Sequence, residues 1–560
     1  MKKIIFTLLV SLAVVDIAGQ SVSEVSKQLN VFNELYKTLV QYYVDTLDTR
    51  KNVDTAIKSM LSDLDPYTEY YDANAAKDFS SMTMGKYAGV GAVIHYYKKE
   101  DRCVVFELYE GKPAAKSGLR VGDVLLAIDD VDLGVKGSKE MSDYVSSVSS
   151  ALRGDPETVI NVKVRRPGVE EPLVFKVTRA SVQLPSVMYS GMLENNVGYV
   201  MLTSFTQGCA QEVCEAMNKL KGQGATSFVL DLRDNGGGLA IEAVNLVNLF
   251  VPKGKLILKM KGKCPDVNTS YATRNAPEFL GVPLVVLVNS NSASASEITC
   301  GSLQDLDRAV VMGERTYGKG LVQQTYRLPN SGMLKATVSH YYIPSGRCIQ
   351  ALDYSHRKDN GEAYRTPDSL TRVFYTEAGR EVRDGGGITP DVTVVADSSN
   401  AFVAYLCASD EYFDFINDYC SRHETIAPAD EFELTDEEYA EFVDKIVASG
   451  FTPEYRSLKL ADQLQEMMKA EQLNEESLEL FNRLKESLKP KIADVLMKNK
   501  KRLKKCLASE ICGRYYYQPG VVEHVLKSDK QVAAAVELLS NQARYKDLLS
   551  ATDSDMKKKK

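Results

Sequence analysis

Three short segments of this 560-residue chain carry residue types that can do chemistry together. Ser290-Asn291-Ser292-Ala293-Ser294-Ala295-Ser296-Glu297 follows the apolar run Val282 to Val288. Its small residues let the chain turn tightly from a strand into a helix beginning near Ser296. A serine at such a turn projects from a strand end, beside N–H groups of a helix N-terminus that favour negative charge. A nucleophile with an oxyanion site requires that arrangement; a serine-rich helix cap is the structural alternative. Thr316-Tyr317-Gly318-Lys319-Gly320 comes next. A lysine between two glycines suits neither a helix nor a central strand. It is either a surface cation or a buried amine whose charged form desolvation disfavours. In the second case it takes the serine proton without histidine. Gln323, in the following strand, is placed to orient it. The third segment, Asp231-Leu232-Arg233-Asp234-Asn235-Gly236-Gly237-Gly238, ends the apolar run Ser227 to Leu232. Glycine-rich turns before helices bind anions through backbone N–H groups. No GK[ST] follows and no GxGxxG is present, which disfavours a nucleotide and favours an oxyanion donor or a peptide-binding backbone.

The elements around these segments alternate. Between Asn196 and Asp391, apolar strands are followed by polar loops and helices, such as the one carrying Ala243, Val244, Leu246, Val247 and Phe250. Repeated strand–loop–helix units imply an α/β layer with parallel pairs. Residues 84–182 differ: short β-type runs (Val104-Val105-Phe106, Val159 to Val164) are broken by Gly111-Lys112-Pro113 and Gly118 to Gly122. Before them, Phe32, Leu35, Tyr36, Leu39 and Tyr43 make one helix face, read as core packing or a dimerising face. A second helix, through Ala56, Ile57, Met60, Leu61 and Leu64, stops at Asp65-Pro66. After residue 398 the chain reads as helix, with a capping box at Thr435 and Glu438. The fold class is therefore multidomain α/β. Its expected regions are a signal peptide over 1–19, an N-terminal helical region over 20–83, a β-rich module over 84–182, an α/β core over 183–397 and a C-terminal helical region over 398–560. A prior of roughly 150 residues per domain agrees with that division.

Composition narrows the class. Hydrophobic residues make up 44% and charged residues 26%, an ordinary globular balance. The net charge of −7 offers nucleic acid no blanket attraction. Lys2 and Lys3 precede an apolar run from Ile4 to Val15, and small residues stand at Ala18 and Gly19. This reads as an export signal cut after Gly19, too short to span a bilayer comfortably, with an uncleaved anchor as the alternative. The expected location is the periplasm or cell envelope. Export permits disulfides, but the ten cysteines are irregularly spaced and include no CxxC, so packed thiols are expected. A bridge among Cys407, Cys420, Cys506 and Cys512 stays open.

Together, Asp231-Leu232-Arg233 with Gly237-Gly238, the Ser292–Glu297 run, and Gly318-Lys319-Gly320 with Gln323 resemble the C-terminal processing (tail-specific) peptidases, serine endopeptidases of the S41 family. So do Leu64-Asp65-Pro66-Tyr67-Thr68, Tyr341 to Gln350, and Gly387-Ile388-Thr389-Pro390-Asp391. The likeness covers roughly residues 30–395. It departs from the usual family loop at Asp234 and Gly236, where asparagine and proline are usual. The resemblance implies Ser294 as nucleophile, Lys319 as general base, Gln323 as the residue positioning it, and the N–H groups of Gly237 and Ala295 as the oxyanion hole. No cofactor or metal is implied.

Residues 84–182 resemble a PDZ domain through Tyr87 to Ile94, Pro113 to Leu119 and Gly122-Asp123-Val124-Leu125. That implies a peptide site at Gly89, Val90, Gly91 and Ala92, where a C-terminal tail adds as a strand and the amides hold its carboxylate. Arg165 or Arg166 is expected to couple this domain to the core. Histidine is scarce, at 5 residues. His340 is the one candidate for a serine–histidine pair, and the lysine already supplies a base. The expected function is an exported serine–lysine endopeptidase acting near protein C-termini. Its expected partners are proteins with accessible tails, not nucleic acid. The helical ends are read as packing on the core, forming a homodimer, or recruiting an adaptor protein. The alternative function is a non-catalytic PDZ-type peptide-binding scaffold in the cell envelope.

Overall fold

The computed structural model describes residues 22–329, 331–358, 360–397, 400–453, 455–489 and 491–550. The expected signal peptide lies outside them. The chain divides into two compact units, one made of the chain up to Asp72 with Thr325–Ala336, the other of Ala73–Gln324 with the chain from Thr337 onward.

The smaller unit holds helices α1 (Val22–Tyr42) and α2 (Thr49–Ser62) and strand β1 (Glu69–Tyr71). Asp48 caps α2 by accepting from the Lys51 N–H. After it, Asp65 accepts from the Tyr67 and Thr68 N–H groups and the Thr68 hydroxyl, which turns the chain at Pro66. β1 pairs antiparallel with Met333–Lys335. The α1 stripe is not core: Leu29, Phe32, Leu35 and Leu39 all lie exposed, so the packing expected from its periodicity does not occur.

In the larger unit, α3 (Ala73–Met84) leads into the β-rich module. Strands β2 (Lys86–Gly89), β3 (Ala92–Tyr97), β4 (Arg102–Leu108), β5 (Val124–Ile128), β6 (Val131–Asp132), β7 (Val159–Arg165), β8 (Leu173–Thr178) and β9 (Ala180–Gln183) are joined by a short helix α4 (Pro113–Ser117) and by α5 (Met141–Leu152). Strand order is β3-β4-β5-β7-β8, while β2 pairs with β9. Alternate residues of β7 (Ile160, Val162, Val164) meet Tyr144, Val148 and Leu152 of α5 in one core. Of the two arginines read as candidates for coupling to the core, Arg165 pairs with Glu100, and Arg166 with Asp123 at 2.7 Å, both within the module.

The α/β core is a six-stranded sheet in which β10 (Val187–Leu193) runs antiparallel to β11 (Val197–Leu202). Then β12 (Ser227–Asp231), β15 (Leu284–Val288), β16 (Val310–Gly313) and the short strand Val392–Thr393 continue in parallel. A second sheet contains β13 (Leu256–Gly262), β14 (Ser270–Ala272), β17 (Leu321–Arg327) and β18 (Met333–Tyr342). The unbroken apolar runs of β12 and β15 follow from burial on both faces. Phe228, Leu230, Val286 and Val288 point to α6 (Cys209–Gly222), α7 (Ala240–Asn248) and α8 (Ala295–Asp305). Val229, Val285 and Leu287 point the other way.

The C-terminal helices cover that other face. α9 (Ala401–Cys407), α10 (Asp410–Arg422), α11 (Asp436–Ala448), α12 (Arg456–Ala470), α13 (Glu475–Leu488), α14 (Ile492–Lys498) and α15 (Lys500–Leu526) precede α16 (Lys530–Ser540) and α17 (Gln542–Leu548). Val532, Ala535, Leu538 and Leu539 of α16 and Tyr545 of α17 pack on Val229, Val285 and Leu287. The Tyr545 hydroxyl accepts from the Leu284 N–H at 2.9 Å and lies 3.0 Å from the Leu284 carbonyl. All ten cysteines are free thiols, with Cys407 and Cys506 beside each other. α15 is broken at Tyr517, whose φ of 56° and ψ of −161° belong to a region otherwise left to glycine. That costs about 1–3 kcal/mol. Flanking contacts hold the break: the Tyr515 hydroxyl donates to His423 O at 2.6 Å and the Tyr516 hydroxyl to Ala427 O at 3.0 Å. The missing side chain of Gly520 makes room for Tyr516, since a Cβ there would stand 2.3 Å from the Tyr516 Cβ.

Leu538→Ala is expected to destabilise the chain by about 2–4 kcal/mol, the usual cost of a cavity beneath a buried leucine. The check is the midpoint of urea or thermal unfolding; no loss would mean α16 is dispensable to the sheet.

Candidate active site

Two loops meet at the C-terminal ends of β12 and β15. Every residue of α8, which leaves the second loop, is buried. Its polar residues are matched: Thr299 bonds to Ala295 O, Ser302 to Ile257 O, Gln304 to Thr389 O, and Asp305 pairs with the buried Arg347 at 2.7 Å.

Of the three serines in the run, two are committed to main-chain carbonyls. Ser292 donates to Leu232 O at 2.7 Å and Ser296 to Asn235 O at 2.8 Å. Ser294, the expected nucleophile, is half-buried at the first position before α8, with φ 56° and ψ −111°. A non-glycine residue held there carries strain of about 1–3 kcal/mol and marks a constrained site. Ala295, the next residue, is buried at the helix start.

The constraint on Ser294 is Glu297. This residue is fully buried, and its carboxylate gathers four donors. Oε2 accepts from the Ser294 and Lys319 N–H groups, each at 2.9 Å. Oε1 accepts from the Gly318 N–H at 2.7 Å and the Thr316 hydroxyl at 2.6 Å. Thus one carboxylate oxygen joins the main chains of Ser294 and Lys319. Tyr341, on β18, adds a second tie: its hydroxyl donates to Lys319 O at 2.8 Å and lies 3.3 Å from Ser294 O. Burial pushes the Tyr341 hydroxyl's pKa far up, so it stays protonated and remains a donor.

Lys319 itself is half-buried. Its neighbours must be glycine for packing reasons. A Cβ on Gly318 would come within 2.4 Å of the Ala351 Cβ, and one on Gly320 within 2.6 Å of the Gln350 N. Gln323 follows on β17, its amide donating to the Thr337 hydroxyl at 3.1 Å. His340 is exposed, on β18 opposite Lys261 of β13.

Gly237 packs directly against Ser294: a Cβ there would lie 2.9 Å from both the Ser294 Cβ and the Ala295 N. Its N–H donates to Asn235 Oδ1 at 2.9 Å. Asn235 is buried and stitches the two loops through Leu202 O and the Ala293 N–H. Asp234, where the resembled family usually has asparagine, accepts from the amides of Asn289 and Asn291 at 2.9 and 2.8 Å. Asp231 accepts from Tyr199 and Arg233, and Arg233 reaches Gln531 and Asp529 of the C-terminal region at 2.8 and 2.7 Å.

The expected tail site is elsewhere in the larger unit. Gly89 ends β2, Gly91 has φ 76°, and Val90 and Ala92 line a cleft beside β3.

Glu297 and Tyr341 are the site residues that the sequence reading did not assign. The first had a visible signal, since Ser294-x-x-Glu297 is a capping-box spacing.

The comparisons agree with this architecture. Residues 196–354 match Peptidase family S41, 104–166 match a PDZ domain, 402–539 match "Probable PDZ-protease, C-terminal helical domain", and 10–75 match "Activating protease CtpB N-terminal domain". The carboxy-terminal-processing protease of Bartonella bacilliformis is 33% identical over 58% of this chain and 73% of that protein. The carboxy-terminal processing protease CtpA of Bacillus subtilis is 32% identical over 60% and 69%. A solved structure, the photosystem II D1 C-terminal processing protease, aligns at 28% identity over 66% of this chain and 93% of that one, with a TM-score of 0.35. The strand-end serine and the match to its surroundings define a serine peptidase. The chain belongs to the S41 family of carboxy-terminal-processing proteases, and it carries that family's PDZ domain and a C-terminal helical domain.

Burial pushes the Glu297 carboxyl up to about 7, against the four hydrogen bonds that pull it down. The sign for stability follows. The proton is held more tightly in the folded chain than in the unfolded one. The group therefore favours folding most below its ordinary carboxyl range and loses that contribution as pH rises through about 7. Activity has the opposite sign, because only the carboxylate accepts from four donors. Peptidase activity is expected to rise with pH through a limb near 7. Glu297→Gln, which puts a donor where an acceptor is needed, should lower kcat/KM by about 10²-fold and remove that limb. A pH–rate profile of both proteins checks this; an unchanged limb in the variant would assign it to another group.

Proposed function

We propose that this protein is an exported endopeptidase that cleaves polypeptides near their C-termini through Ser294 and Lys319. The observation that carries the proposal is the shared Glu297 oxygen, which ties the strained serine turn to the lysine loop. A carboxylate placed only to cap α8 would have no need of the Lys319 and Gly318 amides.

The chemistry is acyl transfer. Ser294 Oγ adds to the scissile carbonyl while the neutral Lys319 amine takes its proton. The tetrahedral oxyanion forms, and the amine returns the proton to the leaving nitrogen. Water then hydrolyses the ester on Ser294 by the same route. Gln323 orients the amine from β17. The Ala295 N–H, at the start of a buried helix, and the Gly237 N–H are the oxyanion donors. Gly237 must share its proton between Asn235 Oδ1 and the oxyanion, because the asparagine holds it at 2.9 Å. The loop Gly89–Ala92 takes the tail of the substrate, its carboxylate on the loop amides and its backbone along β3. Carboxy-terminal processing, for which the relatives are named, fits that division of labour. Export rests on the apolar leader, and no described helix is long and apolar enough to cross a membrane.

Ser294→Ala and Lys319→Ala are each expected to reduce cleavage of an unfolded protein with an apolar tail by at least about 10³-fold. A serine-directed phosphonate or fluorophosphonate should label the wild type at Ser294. Full activity in either variant, or no label, would favour the peptide-binding scaffold instead.

A further inference from the structure

A cleft of about 1110 Å³ runs beside β3, bounded by the PDZ domain, the core segment around Leu184–Ser186, and a third wall not provided by either. That wall is Tyr517, Gln518 and Pro519, the break in α15. Tyr517 packs against the hydrophobic core of the PDZ domain, and Gln518 lies beside Glu107 of β4. The C-terminal helical domain is anchored to the same domain on a second side. The Tyr97 hydroxyl donates to Asp414 at 2.9 Å, and Phe106 stacks on Phe413 with centroids 5.7 Å apart. The break is therefore held in register with the cleft.

The cleft is chemically graded. Val90, Ile94, Leu108 and Leu152 give it apolar walls. At the glycine loop, Lys112 and Arg153 also line it, their stems lying against Gly91 and Gly89. Glu110 and Glu212 line the cleft too, but Glu212 is taken up by the Ser186 and Val187 N–H groups, so the two cations at the glycine loop and the adjoining apolar channel fit one ligand best: a polypeptide C-terminus with a free carboxylate and apolar final side chains.

We infer that Tyr517 is a specificity-determining residue of this peptidase, closing the tail groove so that apolar tail ends are bound in preference to polar ones. The inference rests on the tail-capture reading above and adds that the C-terminal domain, not the PDZ domain alone, does the selecting. A Tyr side chain that only filled space would not need a backbone conformation open to glycine alone; here the strained backbone aims the ring at the cleft.

The test uses the full chain carrying Ser294→Ala to prevent turnover. Fluorescent peptides ending in Val with a free carboxylate, Val with an amide, and Ser with a free carboxylate are titrated by anisotropy. The Val acid is expected to bind about tenfold more tightly than the Val amide. Adding Tyr517→Gly should weaken the Val acid about tenfold, as for loss of an aromatic anchor, and the Ser acid less than twofold. Glycine relieves the backbone strain but gives up the ring's contact with the PDZ core, so the melting midpoint is read beside binding; a partly unfolded chain would lose both acids alike, whereas the selective loss of the Val acid is what the inference expects. If Val and Ser acids bind the Tyr517→Gly chain as they bind its parent, with carboxylate dependence intact, the inference fails while tail capture stands. An equal loss for both peptides also overturns it. Amide and acid binding alike would remove the tail-capture reading, and the inference with it.

Discussion

The proposed active centre depends on a carboxylate that does no chemistry of its own. Glu297 is buried on the first turn of a helix that is itself wholly buried, where an unpaired charge would be untenable. Four donors make it tenable, and those donors come from two loops far apart in sequence. Within each loop Ser292, Ser296 and Tyr341 add further ties, but only the Glu297 carboxylate binds the amides of both. Ser294 occupies a backbone conformation that costs energy, and Lys319 sits between glycines that give no conformational preference of their own. The cost of burying one charge is thus offset by interactions that fix both residues. It also explains why Glu297 is held near its titration point: burial and the donors pull in opposite directions, and burial is the larger.

The C-terminal helices extend this logic beyond the site. α16 and α17 cover one face of the central sheet, so the strand ends bearing both loops lie in a layer closed by residues beyond 530. Arg233 connects the two directly. It is held by Asp231 at the end of β12, and it reaches Asp529 and Gln531 at the start of α16. The preceding helices turn instead toward the PDZ domain, through Phe413 and Asp414 on α10. One region of chain therefore touches both the peptidase core and the PDZ domain.

What was legible in the sequence was local. The serine loop, the lysine loop and the glycine loop each combine an apolar strand with small residues and a following turn or helix. These patterns lie within about a dozen residues and do not require a partner to be known. The capping box at Thr435 was visible for the same reason, and Thr435 does accept from the Glu438 N–H. What stayed hidden was pairing at a distance. Periodicity shows that a helix has an apolar face but not what meets it: the α16 face finds a sheet, while the α1 face is exposed. Charge alone likewise failed for Arg165 and Arg166, which satisfy Glu100 and Asp123 inside their own domain. The role of Glu297 needed both the cap, which is local, and the Thr316–Lys319 amides, which are not.

Ser294 and Tyr517 show how strain separates function from packing. Both are non-glycine residues at positive φ, and neither conformation is the cheapest way to connect its helix. In each case the surroundings over-determine the backbone: Glu297 and Tyr341 around the serine, and the Tyr515 and Tyr516 hydroxyls beside the break in α15. A helix that merely had to bend at Pro519 would have kept ordinary dihedrals up to the proline. Instead the departure falls two residues earlier, at the side chain that meets the PDZ core. Conformational strain of this kind persists where the surroundings fix the direction of a side chain, at the strand end for Ser294 and beside the β3 cleft for Tyr517.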